Sequence, residues 1–102
     1  MGEQDWWLRY KEAKTYADEQ ATLYQQGALI ENWRYVHDWK AGEPEPHKEH
    51  MVGAAWVAYA YEIAADTARA LVQTQGRQWQ SMVDECERLA AQYRERKKQH
   101  GA

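Results

Sequence analysis

Few residues in this chain are spaced as chemistry requires, and each such group has a plainer reading beside it. His47-Lys48-Glu49-His50 puts two imidazoles three residues apart, close enough to share a helix face. Imidazole with carboxylate is a usual ligand set for zinc or non-haem iron. A closed site needs four ligands, for which His37, Glu43 and Glu45 are the nearest candidates, and no Cys pair or His-Glu-x-x-His motif accompanies them. The plainer reading is a polar, solvated helix start. Glu62 and Asp66 stand at i and i+4 beside Tyr59 and Ile63. Acids crowded against apolar groups have raised pKa values and serve as acid and base or as magnesium ligands. Helical sites of that kind draw acids from further helices in Glu-x-x-Glu or Glu-x-x-His patterns, and neither pattern occurs here. Arg69, three residues after Asp66, supplies the neutralising alternative.

The C-terminal stretch suggests phosphate chemistry. Arg94 precedes His100, a spacing at which Arg and His can act together on a phosphodiester, but at the end of the chain no pocket encloses them. Arg94, Arg96, Lys97 and Lys98 form a small basic cluster, with Tyr93 and Trp79 available for base stacking. In the last turns of a helix the same cations offset the negative end of the dipole. The chain as a whole is acidic, with net charge −3 and a sequence pI near 5.8. Residues 77–102 carry +2 and residues 1–76 carry −5, so most of the surface repels a phosphate backbone. Cys86 reads as a small buried hydrophobe rather than a nucleophile. A Gly-rich phosphate loop, Gly-x-Ser-x-Gly and Cys-x-x-Cys are all missing from the sequence.

The aromatic content is unusual. Six Trp and seven Tyr stand against no Phe, so every ring carries a polar handle. A buried indole N–H or phenol O–H needs a partner, which suits sites with one dry end and one wet end. Such sites are the rim of a small core or a protein–protein interface.

These residues must be held by helices. Apart from residues 41–47, where Pro44 and Pro46 bar a helix, the chain is rich in helix formers and lacks sustained period-2 alternation. The 102 residues predict one domain (1–102), an all-α bundle of about four helices over 5–25, 28–40, 47–75 and 77–99. Asp5 is the expected N-cap of the first helix and Gly27 its break. Trp6, Tyr10, Ala13, Ala17, Ala21 and Tyr24 form its stripe. The third helix, lined by Ala, belongs at the centre, because small side chains allow close approach. The packed set should include Trp6, Tyr10, Ala17, Leu29, Trp33, Val52, Trp56, Tyr59, Ile63, Trp79, Val83, Cys86 and Leu89.

A bundle of this length has only a few central layers, so some rings should lie at its boundary. Trp7, Tyr35 and Trp39 fall off the main stripes and are the expected partner-binding residues. The leading expectation is a non-enzymatic interaction protein, an adaptor, accessory subunit or inhibitor of the kind phages and mobile elements direct at nucleic-acid machinery. Its partner would be another protein or itself, with no cofactor. The alternatives are a small metal-dependent hydrolase using Glu62 and Asp66 with His47 and His50, and a nucleic-acid binder working through Arg94, Arg96, Lys97 and Lys98. A cytoplasmic location follows from the single cysteine and from the lack of an apolar run near the roughly 18 residues of a membrane span.

Overall fold

The computed structural model describes residues 5–35 and 48–99. They form helix α1 (Trp6–Gln25), strands β1 (Glu31–Tyr35) and β2 (Lys48–Val52), helix α2 (Ala54–Gln75), a 3₁₀ turn (Arg77–Trp79) and helix α3 (Gln80–Gln99). The fold is thus mostly helical, but it is not the all-α four-helix bundle expected. Three helices carry one two-stranded antiparallel sheet.

Helix α1 keeps its expected limits. The Asp5 carboxylate accepts from the Leu8 N–H at 3.0 Å and caps the first turn. At the other end Gly27 adopts φ +85°, its N–H reaches the Tyr24 carbonyl, and the Ala28 N–H reaches the Leu23 carbonyl. That pair of bonds is a Schellman cap, and the left-handed residue it needs is glycine.

The helix expected over 28–40 is replaced, in its described part, by β1. Glu31, Asn32, Trp33, Arg34 and Tyr35 pair with Val52, Met51, His50, Glu49 and Lys48 in turn. The Gly53 N–H donates to the Ile30 carbonyl at 2.9 Å, extending the ladder by one pair and fixing its parity. Ile30, Asn32 and Arg34 therefore take the hydrogen-bonded positions, and Glu31 and Trp33 the alternate ones. Side chains alternate between faces with the same period. Ile30 and Met51 are buried on the inner face. There Arg34 binds Glu49 (Nε to Oε2, 2.8 Å) and lays its guanidinium 5.1 Å from the Tyr59 ring centroid. The expected loop at 41–47 lies outside the described residues.

Helix α2 begins at Ala54, not at 47, because β2 occupies the preceding residues. One residue, Gly53, joins strand to helix at φ +59° and ψ −127°, a conformation open in practice only to glycine. Helix α2 runs antiparallel to both α1 and α3 and packs on each. Trp56 meets α1 near Gln20, Tyr61 meets Asp18, and farther along α2 the salt bridges run to α3. The expected central position of this helix holds, and its alanines explain it. Ala64, Ala65 and Ala68, with Ala17 and Ala90 opposite, are at most 1% exposed. Side chains so small let backbones approach closely.

The buried face of α2 departs from the expected packed set. Ile63 is 40% exposed, while Val57, Ala60, Tyr61, Ala64, Ala68 and Leu71 are buried. Leu29, Trp33 and Val52 are corrected in the same way, since all three lie open to solvent. On α3 the expected Val83 and Cys86 are buried, joined by Ala90 and Tyr93. Among the described residues no helix is long and apolar enough to cross a membrane.

Candidate interaction surface

The handles of the buried rings are mostly satisfied inside the fold, and polar residues of α1 do the work. The Trp56 indole donates to Gln20 Oε1 at 3.1 Å, the Tyr61 phenol donates to Asp18 Oδ1 at 2.6 Å, and Gln25 Nε2 donates to the Tyr93 hydroxyl at 2.8 Å. Lys14 joins this seam, 3.0 Å from Asp18 and 3.3 Å from Glu85 of α3. Burial pulls the Lys14 ammonium down in pKa, but hydrogen bonds and charge from Asp18 and Glu85 outweigh it and leave Lys14 above its ordinary value. Burial, and then the bond to Asp18, raises the Tyr61 phenol. Tyr10, buried beside Cys86, is pushed up to about 12. Burial also raises the Cys86 thiol, so the group stays protonated and unreactive. Among the described residues one buried side-chain polar atom lacks a partner, Trp79 Nε1.

Trp7 is spent inside this arrangement. Its ring is half-buried, 5.0 Å from that of Trp79 and 5.9 Å from that of Tyr10, with Lys11 over it. Tyr35 ends β1, and its side chain is not among those described; Trp39 lies outside the described residues. Of the remaining rings, Tyr16 is 41% and Trp33 56% exposed, and Tyr16 still meets the edge of Trp56.

Trp33 stands in a different setting. Ladder parity puts Leu29, Glu31 and Trp33 on one face with Val52, His50 and Lys48, and that face is turned away from the helices. Leu29 is 84% and Val52 45% exposed. Trp33 and His50 form a pair of the kind not bridged by backbone bonds, where side chains come closest, and their rings stack at 4.6 Å and 22°. His50 Nε2 lies 3.7 Å from Glu31 Oε1. The Trp33 N–H, which parity directs away from β2, is taken by Asn32 Oδ1 at 2.8 Å. A donor occupied in this way discourages addition of a further strand at that edge. The hairpin therefore offers its apolar face more than its rim.

Of the residues singled out for catalysis, Glu62 and Asp66 share one cleft and His50 lies elsewhere. Glu62 accepts from Arg94 (Nε to Oε1, 2.8 Å), and Asp66 accepts from Arg69 at 2.6 Å. Arg69 also binds Glu87 of α3. These five side chains line a cleft of about 270 Å³ between α2 and α3, floored by Ala65 and Ala90. His50 is on the hairpin face and does not line this cleft; His47 and His100 lie outside the described residues. Among the described residues, no three His, Cys, Asp or Glu side chains gather as a metal site would require.

The cleft also consumes part of the basic cluster. Arg94 is bound to Glu62, and Arg96 sits 4.8 Å from the centroid of the Tyr93 ring. Lys97 and Lys98 belong to α3, though their side chains are not among those described. Compared with family models, with curated proteins and with solved structures, the chain matches none of them, so its own geometry carries the functional reading.

Proposed function

We propose that this protein is a non-enzymatic protein-interaction module that docks through the outward face of its β-hairpin. The observation supporting this reading is the exposure of Leu29, Trp33 and Val52 on one face of the hairpin, beside a helical core that covers most of the other rings. Single exposed apolar residues are ordinary, whereas three on one hairpin face, interspersed with Glu31, His50 and Lys48, have the makeup of a contact site. The pairing of Glu62 with Arg94 and of Asp66 with Arg69 favours the same reading, because these carboxylate oxygens are already taken by guanidinium groups.

The test places an aromatic photo-crosslinking residue, which keeps a large ring where the indole stood, at position 33 in the native cell, with position 78 as the control. Protein adducts from position 33, and none from position 78, are expected. An absence of adducts from position 33 overturns the reading.

A further inference from the structure

We propose that the occupant of the hairpin face is a second copy of this chain, bound face to face about a two-fold axis. The inference rests on the reading of that face as a contact site and names its partner. Charge is the first argument. Each chain carries −3, so two copies repel unless they meet through a neutral surface. Among the described residues the outward face carries one carboxylate, Glu31, beside His50, and one ammonium, Lys48, at the far end of the ladder, so its formal charges balance. A strongly basic or strongly acidic partner would find little to hold.

Symmetry is the second argument. A two-fold contact requires a patch that complements itself. With the axis along the strands, β1 of one copy lies over β2 of the other. Trp33 then faces the second copy's His50, and Glu31 faces its Val52 with His50 on the diagonal, each contact occurring twice. Aromatic meets aromatic, and the carboxylate meets imidazole. The Asn32 side chain on the Trp33 N–H disfavours the competing arrangement, a four-stranded sheet joined through β1.

Area sets the strength. At about 200 Å² for a fully open large apolar side chain, the exposed parts of Leu29, Trp33 and Val52 come to roughly 400 Å² per copy. With their polar rim, two copies bury about the 1,000 Å² at which specific association begins, so the dimer is weak and concentration-dependent.

Sedimentation equilibrium on the full chain tests this. The mass should rise from 12.0 kDa toward twice that value with concentration. Trp33→Ala should weaken association about tenfold or more, as loss of a central aromatic contact does. Leu29→Glu should act alike, and since Leu29 is 84% exposed this variant leaves the fold intact. Glu31→Lys, which gives the two faces like charge, should also weaken it, whereas Ile63→Glu on α2 should change nothing. A constant mass at every concentration, or a dimer indifferent to Leu29→Glu, overturns the proposal. The crosslinker at position 33 separates the two readings. Adducts to a different protein from a chain that stays monomeric overturn the second-copy inference alone, and no adduct overturns both.

Discussion

Asp18 shows how a chain without phenylalanine uses its rings. One carboxylate, on the rim of α1, receives the Tyr61 phenol and the Lys14 ammonium, and so ties α2 to α1 while Lys14 reaches Glu85 of α3. Tyr61→Phe keeps the ring and removes the bond, and it should cost about 1–2 kcal/mol in chemical unfolding. Trp79 makes the opposite case. Its indole N–H has no partner, whereas that of Trp56 is held by Gln20. Trp79→Phe should therefore destabilise less than Trp56→Phe, and equal losses would deny the handle its role. The raised phenols also set an alkaline limit. Tyr10 titrates near 12 in the folded chain and near 10 when unfolded, so between those values the unfolded state binds fewer protons. The stability that Tyr10 contributes is complete below about pH 10 and is lost as pH climbs through 12. Melting temperatures measured across that interval should fall, and fall less in Tyr10→Phe.

At the scale of elements, the hinge between β2 and α2 is a single residue with one permitted conformation. An added Cβ at Gly53 would meet the Tyr24 ring at an ordinary 3.5 Å, so the cost of Gly53→Ala is backbone strain rather than collision. It should amount to about 1–3 kcal/mol, with the hairpin loosened first, as faster hydrogen exchange of the strand amides would show. This hinge also explains what the sequence conceals. Helices α1 and α3 are legible because their apolar residues follow a 3.6 period, which in α1 runs between recognisable caps. The hairpin is not, because positions four apart share a face in a strand as well as in a helix. Leu29 and Trp33 satisfy both periods, and Val52 and Trp56 look continuous although one lies in β2 and the other in α2. The inner face of β1 adds to the ambiguity, since Asn32 and Arg34 stand where a buried strand would show apolar residues. Arg34 fits there only because Glu49 and the Tyr59 ring receive it, a tertiary fact. The available signal was the density of Ile, Trp, Tyr and Val over 30–36, followed by Gly42, Pro44 and Pro46. The exposure of Trp33 was hidden for the same reason, because on a helix this ring would have been core.

Across the whole molecule, the acidic first part and the basic end are joined by ion pairs between helices, Glu62 with Arg94 and Glu87 with Arg69. Their side chains are largely exposed, so Arg94→Ala should cost less than about 1 kcal/mol, a result that urea unfolding would check. Leu71, fully buried where the helices meet, should cost about 2–5 kcal/mol as Leu71→Ala. Stability thus resides in the Ala-lined contact of α2 with its neighbours. The hairpin, anchored among the described residues through Ile30, Met51 and Arg34, should open more readily. Hydrogen exchange should follow that gradient, with amides of residues 64–71 slowest and those of the two strands fast in dilute solution. If the open face of the hairpin is covered by a second copy, strand amides should gain protection as concentration rises while those of α2 stay unchanged. Protection rising equally in both would place the association elsewhere, because only a contact seated on the hairpin can slow its opening without stiffening the helices behind it.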